Sequence, residues 1–253
     1  LFEMGDNHDK EMALAVKYLP FIGTSKYSPS EIQQEFYKIG CDFSVYSANE
    51  RTYVTLSGLN DNFEKGLELF EHLLADAQPE EEALKNMVAN ILKERADAKL
   101  NKGNILFGAM ASFAKYGDKS PFKNILSKEE LDNLNAAELT AKINELNNFD
   151  HKVLYYGPLK QDEIVQKLNK FHKAPEELKA IPEEIKFEEL ANEKTNVYVV
   201  DYDMKQVEIY MLSKKEQYNP KTVAQAAIFN EYFGGGMGSI VFQEMRESKA
   251  LAY

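Results

Sequence analysis

Apolar positions recur with a helical period along most of the first two-thirds of the chain, and with a period of two in one place. Residues 28–40, SPSEIQQEFYKIG, carry full helix punctuation. Ser28 can cap the N-terminus, Pro29 suits the first helical position, Glu31 completes a Ser-x-x-Glu capping box, and Gly40 stops the helix. Ile32, Phe36 and Ile39 share one face. CDFSVYSA and RTYVTLSGL then alternate around Asn49-Glu50, which predicts a β-hairpin. NFEKGLELFEHLLADA places Phe63, Leu67, Phe70 and Leu74 on one stripe, an amphipathic helix. After Pro79, three glutamates open another helix, whose buried face is Leu84, Met87, Val88, Ile91 and Leu92 and which runs on to Gly103.

Helical patterning resumes over 104–117 and in SKEELDNL, AAELTAKINEL and DEIVQKLNKFH, while HKVLYYGP predicts a short buried strand stopped by Pro158. Helices mixed with a few antiparallel strands give an α+β layout. From His172 to Thr195 the pattern weakens into a charged stretch with two prolines. The division expected is a domain over 1–175, an interdomain linker over 176–195, and the beginning of a second domain over 196–253. In that last part NVYVVDYD and QVEIYMLS predict two strands joined at Met204-Lys205. A helix follows from Asn219-Pro220 to Phe233, GGGMG interrupts, and SIVFQEMRES forms a second helix. LAY begins a further strand, so the expectation is a truncated domain in a segment of a longer polypeptide.

Composition narrows the class without changing this picture. The chain has 253 residues, 44% hydrophobic and 11% aromatic, which suits a packed fold. No apolar run approaches the ~20 residues of a membrane span. A net charge of −11 repels a phosphate backbone, so nucleic acid is not an expected partner. The single cysteine, Cys41, has no cationic neighbour and reads as a small buried apolar residue.

Plain catalytic signatures are missing. The four histidines, His8, His72, His151 and His172, are scattered. His8-x-x-Glu11-Met12 imitates half of an H-x-x-E-H motif, with methionine at the second histidine position. GGGMGS follows a helix, the wrong context for a dinucleotide fingerprint, and neither a P-loop nor a G-x-S-x-G elbow is present.

The stretch FGGGMGSIVFQEMRESKALAY resembles the signature of the pitrilysin and insulin-degrading-enzyme family of zinc metallopeptidases: a glycine-rich turn, a helix with phenylalanine and glutamate, an arginine at its end, and a strand starting L-A-Y. Lys249-Ala250 stands where the family often has Arg/Lys-Gly. The start of the chain fits a degenerate copy of that family's H-x-x-E-H helix. In ALAVKYLPFIGT, residues 13–24, Leu14 stands at the first histidine, Lys17 at the glutamate and Tyr18 at the second histidine. The frame Phe21-x-Gly23-Thr24 survives, and Glu94 lies near the place of a third ligand but reads as a surface carboxylate. The resemblance spans the chain and is densest over 13–59 and 229–253.

The resemblance implies repeated α+β domains, each a mostly antiparallel sheet with helices packed on one face. It implies a non-catalytic C-terminal half, with no cofactor of its own, beside a catalytic half that holds zinc. That catalytic half is either part of the same polypeptide or a separate subunit. Arg246 and Tyr253 would then bind a peptide substrate's backbone across the chamber. By residue type alone, Arg246 is a helix-end cation and Tyr253 a strand residue with a polar tip. Gly234, Gly235 and Gly236 are expected to form a tight turn with positive φ. An inactive scaffold of the same fold, in a parent without peptidase activity, is the alternative.

Overall fold

A computed structural model describes residues 1–191, 193–214 and 218–251. It divides into two units, one comprising Leu1–Leu190 with Lys194–Tyr210 and the other Ala191–Glu193 with Met211–Tyr253.

The first unit is built around α1 (Lys10–Tyr18), a helix buried on nearly every side through Met12, Ala13, Leu14, Ala15, Val16 and Tyr18. Asp9 caps it by accepting the Met12 N–H at 2.9 Å, and its other carboxylate oxygen takes Lys142 Nζ at 3.1 Å. Helix α2 (Pro29–Lys38) starts on the expected capping box between Ser28 and Glu31 and buries Ile32 and Phe36. Strands β1 (Cys41–Ala48) and β2 (Arg51–Gly58) form the hairpin in the register Val45 to Val54 and Ala48 to Arg51. Its two-residue turn places Asn49 at φ 49°, a left-handed conformation that asparagine tolerates. Alternation sends Cys41, Phe43 and Ser47 of β1 inward.

Helix α3 (Phe63–Ala75) packs on the hairpin with Leu67, Phe70, Leu73 and Leu74. Helix α4 (Glu81–Ala98) follows, and its regular turns end at Ala98, short of the expected Gly103. A wide π-type turn over Asn104–Met110 then leads into α5 (Ala111–Tyr116), which Gly117 closes with φ 63°. The short α6 (Lys128–Asp132) opens on a Ser127–Glu130 capping box, and α7 (Ala136–Asn144) lies against α1. Helix α8 (Gln161–Phe171) packs on α3. One apolar core joins α1, α2, β1, α3 and α7, and a satellite cluster joins Leu14 to Leu126 and Leu131.

Three expected strands are not formed. Residues 151–158 are irregular, with Leu154 71% exposed, and neither 196–203 nor 206–213 is a strand. A strand exists only through a hydrogen-bonded neighbour, and the sheet of the described residues has only β1 and β2. The two later segments still alternate. Tyr198 packs on Phe113 and Tyr210 on Phe107, while Val197, Val199, Val207 and Ile209 point outward.

In the second unit α9 (Val223–Asn230) continues as a π-type turn over Glu231–Gly235, and a second helical stretch ends in another such turn over Phe242–Ser248. The positive φ expected in the triple glycine is not found. Gly236 is extended at φ −159°, and the left-handed glycines of the described residues are Gly40 and Gly117. The chain reverses just after the triplet, where Ser239 N–H donates to Gly236 O at 2.9 Å.

Candidate functional site

The three degenerate motif positions fall on α1, on the turns the resemblance implies, and each side chain is engaged in a different way. Leu14 is buried against Leu126 and Leu131. Lys17 reaches outward, with Nζ 3.8 Å from Asp6 Oδ1. Burial pushes the Asp6 carboxyl above its ordinary value, and the Lys17 ammonium opposes that rise. Tyr18 is fully buried, and its hydroxyl donates to Glu80 O at 2.6 Å while accepting the Glu80 N–H at 2.9 Å. Desolvation raises the phenol's pKa. This two-way bond ties the end of α1 to Glu80, the N-cap residue of α4.

Zinc takes thiolates, neutral imidazoles or carboxylates. An alkyl group, an ammonium and a phenol already committed to a backbone pair do not fit it, and the charge of Lys17 opposes a cation. Glu94 is exposed on α4, as its reading as a surface carboxylate implies. Among the described residues, no group of three or more His, Cys, Asp or Glu is arranged to hold a metal ion.

The surviving frame after the motif has a structural task. A Cβ on Gly23 would lie 2.3 Å from Tyr27 O, so only glycine permits this approach. Thr24 N–H donates to Tyr27 O at 2.8 Å, and its Oγ1 accepts from the Lys26 and Tyr27 amides at 3.2 Å each. Thr24 Oγ1 also lies 3.0 Å from His72 Nε2, which accounts for a histidine on α3.

In the second unit, Arg246 is about half exposed, stacked 4.9 Å over the Phe242 ring and 4.0 Å from Glu247 Oε1. Tyr253 lies outside the described residues. A Cβ on Gly234 would meet nothing within 4 Å, and one on Gly235 would meet the Glu231 carboxylate.

Sequence reasoning missed a second polar group. Glu71 of α3, His151 and His172 meet with hydrogen-bond distances of 2.8 Å on both sides of His172. They line a cavity of about 460 Å³ bounded by β2, α3, α8 and residues 152–158. Positions 71, 151 and 172 share no local pattern, so no spacing signal exists to find them.

Comparison with known proteins bears on this geometry. The model of the insulinase family, peptidase family M16, matches residues 9–129, and the model of the peptidase M16 inactive domain matches residues 133–253. The two matches leave only residues 1–8 and 130–132 outside, and the chain belongs to the M16 peptidase family. An uncharacterized zinc protease of Rickettsia felis is 24% identical over 94% of this chain, which spans 57% of that relative's length. A protease from Helicobacter pylori has the same fold at a TM-score of 0.64 and 17% identity, over 99% of this chain and 62% of that one. The peptidase M16 inactive domain from Pseudomonas fluorescens aligns at 0.63 and 18%, over 100% and 62%. These likenesses support the α+β fold and a non-catalytic M16 half. The Rickettsia felis relative is named a zinc protease, and the match over residues 133–253 is to the family's inactive domain.

Proposed function

We propose that this chain is the non-catalytic half of a zinc-dependent metalloendopeptidase. It forms part of the wall of a substrate chamber, beside a catalytic half located elsewhere that holds the zinc. One observation carries the reading. In an M16 fold, the helix that would hold the metal motif has Leu14, Lys17 and Tyr18 built into packing, an ion pair and a backbone clamp. A helix committed in this way contributes shape and leaves hydrolysis to another site.

Arg246 and Tyr253 are the residues proposed to meet the substrate. A guanidinium and a phenol are fixed donors suited to a peptide carbonyl and to the charge that develops on it. The half-exposed Arg246 side chain supports an accessible donor. Its ring contact and its neighbour Glu247 equally suit an inactive scaffold, in which Arg246 is a helix-end cation.

The experiment uses the full-length parent. Its remaining sequence is read for H-x-x-E-H, and peptide cleavage is measured with and without Arg246→Ala. Loss of at least about tenfold in kcat/KM with zinc content unchanged, equivalent to ~1.4 kcal/mol, would place Arg246 at the substrate. A parent without the motif and without cleavage would establish the scaffold instead.

A further inference from the structure

The Glu71–His172–His151 group poses a proton-counting problem. His151 Nδ1 lies 2.6 Å from Phe149 O, and a carbonyl only accepts, so this nitrogen carries a hydrogen. His172 Nδ1 lies 2.8 Å from Glu71 Oε1, and an ionised carboxylate only accepts, so the same holds there. Two neutral imidazoles protonated at Nδ1 would then present bare Nε2 lone pairs to each other. Those two nitrogens are 2.8 Å apart.

A shared cation resolves the conflict, and geometry selects which one. The ring centroids are 5.0 Å apart, so the excess over the nitrogen separation is close to two ring radii and the lone pairs face along nearly one line. A metal held in line by two bonds of ~2.0–2.1 Å would need nitrogens about 4 Å apart. A proton between nitrogens fits 2.8 Å.

The group sits where it can hold one wall of a cavity. Glu71 is on α3, His172 caps the C-terminus of α8, and His151 belongs to the segment after α7. The His172 and Glu71 side chains are 16% and 13% exposed. Residues 149–152 are tied independently by backbone bonds to Lys179 and Leu1. Helix α8 meets α3 through Lys167 and Lys170 on Glu64, and its one buried residue is Ile164.

We propose that Glu71, His172 and His151 form a proton-operated clasp that seats the C-terminal end of α8 and closes the cavity behind it. The clasp holds with a single shared proton. Losing it sets lone pair against lone pair, and adding a second sets N–H against N–H. The seat is therefore firm in a pH window and loosens on both sides. Histidine is the side chain that ordinarily titrates between about pH 5 and 8.

Other charges around the cavity do not produce that shape. Lys152 pairs with Glu3, and the Leu1 ammonium donates to Lys152 O with its pKa lowered by burial. The thiol of Cys41 is pushed up by burial. Glu64, which faces Lys167 and Lys170, titrates at about 2, below the window. Asn147, also against Glu71, does not titrate.

The test is hydrogen exchange of the α8 amides in the full chain between pH 5 and 8, corrected for intrinsic rates, beside imidazole nitrogen-15 spectra. Expected is a peaked protection profile for the last turn of α8, with opening several-fold greater on either flank. His151→Gln and His172→Gln should each flatten it. Spectra of the unsubstituted chain should show both rings protonated at Nδ1 and one further proton in the group. Two neutral imidazoles throughout the range, or a profile the substitutions leave unchanged, would overturn the proposal.

Discussion

Tyr18 shows how one side chain can replace a function with a fixture. Its hydroxyl satisfies both backbone groups of Glu80 and sits at the junction of α1 and α4. Tyr18→Phe keeps the ring in the core and removes only this pair, leaving the partly buried Glu80 N–H unmet while Glu80 O keeps the Leu84 N–H at 3.0 Å. The expected cost is about 1–3 kcal/mol, and at this chain length each kcal/mol lowers the melting temperature by roughly 2–4 °C. Urea unfolding of the variant measures it directly. Chelator should change neither protein's midpoint, because the clamp contains no metal ligand. An unchanged midpoint in Tyr18→Phe would mean that water replaces the hydroxyl at no cost. At Leu14 the contact is apolar, with Leu126 and Leu131, and at Lys17 it is ionic and exposed. The three positions therefore matter to folding in unequal measure, Lys17 least.

Among the elements, helix α8 depends most on charge. Lys167 and Lys170 both reach Glu64 of α3, at 2.8 and 2.5 Å. Hydrogen bonds from the two ammonium groups, with their charges, bring the Glu64 carboxyl from 4.5 down to about 2. A carboxylate depressed on folding stabilises above its ordinary value, and that contribution fades as pH falls towards the folded one. The stability difference between the unsubstituted chain and Glu64→Gln should therefore be present at pH 6 and vanish near pH 2. Equal urea midpoints at pH 6 would show that solvent screening leaves the pair without effect. At this scale the sequence was legible where the signal is local. The hairpin shows in its period of two and its Asn49-Glu50 turn, and α2 shows in its capping box. Residues 151–158 and 196–213 have strand composition, but composition names no partner, and without a ladder they stay irregular. The degenerate motif was legible because its five positions are contiguous. The Tyr18–Glu80 clamp and the Glu71–His172–His151 group join residues far apart in the chain, and only the fold brings them together.

Across the whole molecule, burial is unevenly shared. The large core draws on residues from Phe2 to Leu146, and the described residues beyond Ile164 add no buried hydrophobic residue. In the second unit, Ser239 alone among the described residues is buried, while Ile228, Phe229, Tyr232 and Met237 are all exposed. Helices in proteins are held mainly by packing of an apolar face, and short ones are marginal without it. Helix α9 and the helical stretch that ends at Ser248 should therefore open at little cost, while α1, α3 and α7 open only with the whole first unit. Hydrogen exchange of the full chain should show strong protection in α1 and α3 and near-intrinsic rates across 223–248. Limited proteolysis should cut first between 173 and 222, where the described backbone is mostly irregular and exposed, and leave a resistant piece containing 10–149. The same exposed apolar residues set the condition under which the second unit becomes firm. Addition of the catalytic half proposed for the parent should raise protection across 223–248 by covering that surface. Protection of α9 equal to that of α1 in the chain alone would show that the second unit is stable without such cover, and would remove this reason for expecting a partner on it.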